Sequence, residues 1–155
     1  MKKILSLLIV SLLLSGNAYA FNKLKGIYEV DLLVETYGNV EECSVEKKSI
    51  VTAVKYILQN SKIKIKKDDA YVPMLYVVVG VIKSGGICTA DIDIRVEAFP
   101  AKDPLGFSNK GYFVYYRNGK LTSGGSQSEF LNSVVNGVEK IMKDLVVKHH
   151  EDNKW

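Results

Sequence analysis

The sequence predicts an α+β fold: a two-layer sandwich with a mixed four-stranded sheet, in the order β-α-β-β-β-α, and two helices packed on one face. Three observations carry that reading. Apolar and polar residues alternate over 27–36 and 87–99, the period of a strand covered on one side. Apolar residues recur at helical spacing over 45–59 and 126–148. The two cysteines, Cys43 and Cys88, fall at one end of the sheet those elements would build.

The chain opens on a leader. Lys2 and Lys3 form a basic start, Ile4 to Leu14 an apolar run broken by Ser6 and Ser11, and Ala18-Tyr19-Ala20 a small-residue cleavage site. This is the pattern of a Sec-type signal peptide, so residues 1–20 are expected to be removed, with Phe21 the new first residue. The apolar run is about half of the ~20 residues that cross a bilayer. A lipoprotein needs cysteine directly after the cut, and Phe21 stands there. The expected location is the periplasm or the external medium, free of lipid. Removing 20 of 155 residues leaves 135, enough for one domain at 21–155. The net charge falls from +4 to +2 with the loss of Lys2 and Lys3, too little for a nucleic-acid field. No later stretch is long and apolar enough for a transmembrane helix.

The first strand is expected at Ile27 to Thr36, with Tyr28, Val30, Leu32 and Val34 on one side and Glu29, Asp31, Leu33 and Glu35 on the other. Tyr37-Gly38-Asn39 breaks it. Ser44 is placed as an N-cap, with Glu46 in the first turn of a helix over Val45 to Gln59. Ser61 to Lys67 alternates lysine and isoleucine, which reads as an extended, solvated edge whose lysines discourage pairing. Contact with anionic lipid or a polyanion is the other meaning of such a run, and Asp68 and Asp69 cancel part of the charge.

Tyr71 to Lys83 is the most apolar stretch after the leader, the mark of a central strand. Ser84-Gly85-Gly86 is a hairpin turn. Ile87 to Phe99 returns with Ala90, Ile92, Ile94, Val96 and Ala98 towards the core and Thr89, Asp91, Asp93, Arg95 and Glu97 towards water. After a loop over 100–110, Gly111 to Arg117 forms a fourth strand, and Asn118-Gly119 is a turn into a short return over 120–122. Ser123-Gly124-Gly125 is read as flexible. Ser126 and Glu129 form a capping box for the last helix, expected to end near Lys148, with 145–155 partly frayed. Gly137 inside that helix costs about 1 kcal/mol relative to Ala, which implies close packing there.

A strand, a helix and a strand joined by a right-handed crossover place the first two strands parallel. Cys43 and Cys88 then share one rim. In an oxidising compartment they are expected to pair. No Cys-x-x-Cys suggests redox catalysis. With both helices on one side, the other side would carry Glu29, Asp31, Glu35, Asp91, Asp93, Arg95 and Glu97, with Tyr76 or Leu75 and tyrosines of the fourth strand. In element order this resembles small two-layer periplasmic domains such as the N-terminal domain of TolB. The resemblance covers topology, shares no motif and implies no site residues.

Few residues point to chemistry. Asp91 and Asp93 on one strand face are weak metal candidates, since paired carboxylates suit hard cations, but acidic residues on a solvent face are commoner. His149 and His150 are adjacent on a helix and diverge. The same two are the only histidines for a Ser-His-acid triad. Ser123 to Ser126 lacks the lysine and spacing of a phosphate loop. Leu105 and Phe107 are apolar side chains on a long connection, and with Tyr115 they are the expected partner contacts. No cofactor is expected. The function expected is a non-catalytic binding or envelope-assembly module whose partner is an envelope protein or component. A small metal-dependent hydrolase using Asp91 and Asp93 is the alternative.

Overall fold

The computed structural model describes residues 24–67, 72–98, 113–124 and 126–154. Residues 1–20, expected to be a signal peptide, and the stretch with Leu105 and Phe107 lie outside the described residues. The elements are β1 (Glu29–Gly38), α1 (Lys47–Gln59), β2 (Lys64–Ile65), β3 (Met74–Ser84), β4 (Ile87–Ala98), β5 (Phe113–Gly124) and α2 (Gln127–Asp152). They form the α+β arrangement expected, with a mixed five-stranded sheet in the order β2-β1-β3-β4-β5. The fifth strand is the lysine-rich segment. Ile63 is buried, and Lys64 and Ile65 pair parallel to Glu29 and Val30. A segment expected only to be extended is thus the outermost strand.

β1 and β3 are parallel and joined through α1, as a crossover requires. β3 and β4 form a hairpin whose turn residues, Gly85 and Gly86, both have positive φ (56° and 81°). On the covered face, Val30 and Val34 meet Leu75, Val77, Val79 and Val81, then Ala90, Ile92, Ile94, Val96 and Ala98, all buried. The helices complete this layer with Ile50, Val54 and Leu58 from α1 and Phe130, Val134, Val138, Met142 and Leu145 from α2. Gly137 lets α2 approach the sheet: a Cβ there would lie 2.6 Å from Ile92 Cδ1.

Four local expectations are corrected. Ser44 is not the N-cap of α1. The turn that carries Cys43 closes by Val45 N–H to Val40 O, leaves Ser44 at φ 56°, and puts Glu46 at the cap. Asn118-Gly119 does not turn. β4 is long enough to pair every step, so the ladder runs on through Asn118 opposite Ile94 and Gly119 opposite Asp93. Pairing here overrides local turn preference. Ser123 and Gly124 extend the same strand. α2 continues past Lys148 to Asp152, because its last turn is tied to the start of the domain. Asp152 Oδ2 accepts from Leu24 N–H at 2.8 Å, and Asn153 Oδ1 accepts from Gly26 N–H at 2.9 Å. Asn153 Nδ2 donates to Leu24 O and His149 O.

Cys43 and Cys88 are joined as a disulfide, with Cα atoms 6.0 Å apart and both side chains buried. Cys43 follows β1 and Cys88 opens β4, so the bond ties the loop into α1 to the rim of the hairpin. It closes a loop with a sequence separation of 45. In the chain-entropy account, closing such a loop removes about 4 kcal/mol of freedom from the unfolded chain. Replacing both cysteines (Cys43→Ala with Cys88→Ala) should therefore lower the unfolding free energy by up to about 4 kcal/mol in urea titration. An unchanged midpoint would show that the bond does not restrain the unfolded chain.

Candidate functional site: the open face of the sheet

Both helices lie on one face, so the other face of the sheet is lined only by its own side chains among the described residues. The strand registers set it out in ranks. Asp31, Met74, Glu97 and Val114 share one rank, and Leu33, Tyr76, Arg95 and Arg117 the next. Glu35, Val78, Asp93 and Gly119 follow, then Tyr37, Gly80, Asp91 and Leu121. Ile82 and Thr89 come last, beside Ser123.

The middle ranks hold a connected polar network. Tyr76 donates its hydroxyl to the Glu35 carboxylate, and that bond holds the tyrosine above its usual pKa. The Arg95 guanidinium stacks over the Tyr76 ring, 4.9 Å from its centroid. Arg95 Nε lies 3.2 Å from Asp93 Oδ2, within ion-pair distance but not aligned as a hydrogen bond. Its Nη1 lies 3.7 Å from Glu97. Arg117 donates to both oxygens of Asp93, at 3.1 and 3.3 Å. Each such pair contributes little alone in water. Together they partly offset the acidic charge of the face, which carries more carboxylates than Arg95 and Arg117 can neutralise.

This network decides the fate of the acidic strand. Asp93 is held by two guanidiniums, the opposite of a carboxylate kept open for a cation. Asp91 stands exposed one rank away, opposite Leu121. Among the described residues no group of three or more His, Cys, Asp or Glu side chains is placed to hold a metal ion.

The last ranks mix exposed apolar side chains with Asp91, Thr89 and Ser123. Leu121 is 71% exposed and Ile82 68%. Ile87, which has the strand parity of Thr89, is also exposed. The Tyr37 ring lies over Gly80, so close that a Cβ there would sit 2.4 Å from the ring and the ring would have to shift. These side chains share the disulfide end of the face. The sequence pattern placed Tyr37 in a strand break and Leu121 in a short return after a turn, so neither was legible as part of a site. Once β5 runs straight through Gly119, Leu121 falls opposite Asp91.

Other expected positions move. Leu75 is buried beneath the helices and Tyr76 takes the open face. The tyrosines of the β5 strand are not on that face. A bulge opposite Val96 and Glu97 leaves Tyr115 as the extra residue, alternation breaks, and Tyr115 and Tyr116 are both buried. At 5% exposure Tyr115 has little surface to offer a partner. Tyr116 donates to Ile141 O at 3.3 Å, and burial raises its pKa.

His149 belongs to the clasp between chain start and chain end. It is 2% exposed, its ring meets Tyr28 edge-on at 5.5 Å, and it hydrogen-bonds the Ile27 backbone. Tyr28, expected to point inward, is instead partly exposed and donates to Asn153 Oδ1 at 3.1 Å. The second imidazole nitrogen of His149, Nε2, is buried with no hydrogen-bond partner.

No family model matches the chain, and no curated protein matches its sequence. Among solved structures it is similar to a minor lipoprotein from Acinetobacter baumannii, with 8% identity over 81% of this chain and 95% of that one. The TM-score is 0.40, too low to transfer a site or a function.

Burial pushes the His149 imidazole below its ordinary pKa, and nearby Lys62 and His150 act in the same direction. The Ile27 hydrogen bond and Asp152 oppose them. The unfolded chain therefore takes up this proton first as pH falls through about 6.5, and folding loses stability there. The stability gap between wild type and His149→Gln should be largest near pH 7.5 and narrow towards pH 5 in denaturant titrations. A gap that stays constant or widens in acid would contradict a buried neutral imidazole.

Proposed function

We propose that this chain is an exported, non-catalytic module that binds an envelope protein through the open face of its sheet. The observation that carries the reading is the disulfide end of that face, where Tyr37, Ile82, Ile87 and Leu121 lie exposed beside an ion-paired polar network. In the register Tyr37, Ile82 and Ile87 fall on diagonal positions and Leu121 lies across Asp91; exposed apolar side chains gathered at one end of a sheet face among polar ones support an interaction site there. Export is supported by the leader pattern of residues 1–20 and by the Cys43–Cys88 bond, which belongs to an oxidising compartment.

The non-catalytic part of the reading rests on the same network. The carboxylates in the middle of the face are engaged by Arg95, Arg117 and Tyr76. General acid or base work needs a titratable group with a free lone pair or proton facing a substrate. The hydrolase alternative would require Asp93 to leave both arginines.

The test is proximity crosslinking in living cells, with wild type and a Leu121→Asp, Ile82→Glu variant. Both side chains are exposed, so the variant should keep its stability to within about 0.5 kcal/mol. Wild type should crosslink to a discrete envelope protein, and the variant should lose that adduct while remaining exported and oxidised. Equal adducts from both would remove the disulfide end of the face from the interface. Recovery of the protein with its leader intact in the cytoplasm would defeat the export part of the reading.

A further inference from the structure

A strand presents the N–H and C=O of successive residues to opposite sides. On the β3 side of β1, Asp31 N–H donates to Pro73 O. On the β2 side, Val30 O accepts from Lys66 N–H. Leu32, Val34 and Thr36 share the parity of Val30, so their backbone groups face away from β3. β2 pairs with Glu29 and Val30 alone. Among the described residues the ladder on that side therefore ends at Lys66, while β1 continues to Gly38.

A groove of about 200 Å³ lies beside this edge, between β1 and α1. Leu32, Val51 and Ile65 supply its apolar surface, each partly buried against the core. Lys47, Lys55 and Lys67 supply its rim, and among the described residues no carboxylate lines it. The described residues thus offer three things together: a strand edge whose partner stops short, an apolar floor and three lysines at the rim.

We propose that this edge groove binds an extended acidic peptide segment of another protein, which continues the sheet alongside β1 where β2 stops. Strand addition draws affinity from backbone hydrogen bonds and selectivity from alternate side chains. Here Leu32, Val34 and Thr36 provide the backbone groups. Peptide side chains on the helix side of the sheet meet Val51 and Ile65 if apolar, and Lys47 and Lys55 if acidic. Charge complementarity selects the occupant. A second copy of this chain laid along the same edge would bring lysines against lysines, which is how edge lysines block self-pairing. A carboxylate-bearing strand turns the same charges into attraction and faster encounter. This surface shares no proposed contact with the disulfide end of the open face, so the two readings stand or fall separately.

The probe is a fluorescent, end-capped peptide of about eight residues, the length of an ordinary strand, alternating glutamate and valine. A lysine-valine peptide of the same length is its control. The acidic peptide should bind the mature protein at least about tenfold more tightly than the basic one, and more weakly as salt rises. A Lys47→Glu, Lys55→Glu variant should lose about tenfold or more of that affinity, whereas Leu121→Asp should leave it unchanged. Amide exchange at Leu32, Val34 and Thr36 should slow on binding. Equal affinity for the two peptides, an unaffected lysine variant, or slowed exchange on β5 instead of β1 would each overturn the proposal.

Discussion

Everything in this molecule follows from a shortage of cover. Two helices serve a five-stranded sheet, and the connections place both on the same side. That side holds the core, where Val77, Val79, Ile92 and Ile94 meet Phe130, Val134 and Met142 with almost no accessible surface. Among the described residues the other side has no second layer. It carries ion pairs in the middle ranks, a cation stacked on a tyrosine, and a tyrosine ring laid over a glycine. What that economy leaves over, at Ile82, Ile87 and Leu121, is the surface with most to gain from a partner.

Two ties hold the ends of β1. After its last residue the Cys43–Cys88 bond fastens the chain to the hairpin rim. Before its first residue, Leu24, Gly26 and Tyr28 are hydrogen-bonded to Asp152 and Asn153, beside buried His149. A small domain gains net stability only as a narrow difference between burial and chain entropy. A covalent loop closure at one end and a buried clasp at the other both act on that difference. They also hold β1 in place, which matters because its outer edge is covered for only two residues by β2.

Much of this was legible in the sequence, for reasons of period. Alternation placed β1 and β4, since one face of each is buried and the other wet. The continuous apolar run of β3 marked a central strand. Ser126 and Glu129 marked the start of α2, and the capping box is there. Cys43 and Cys88 could be matched because the crossover rule fixes which ends of the strands meet. The failures share a cause: a tertiary partner overruled a local signal. Asn118-Gly119 prefers a turn, but β4 offers a continuous ladder. Ser44 prefers a cap, but the turn that delivers Cys43 takes it first. A bulge, invisible in a pattern of aromatic residues, turned Tyr115 inward. The two-residue β2 is too short to carry a period of its own. The last turn of α2 is held by backbone groups at the far end of the chain, which no local window contains.

The most direct test of a one-sided sheet is hydroxyl-radical footprinting of residues 21–155 at low concentration. Tyr37, Tyr76, Ile82 and Leu121 should be modified readily, while Phe130, Met142 and Leu145 stay protected until the protein unfolds. Protection of the first group in the free, dilute protein would mean that something already covers the open face, and the account of this fold would be wrong.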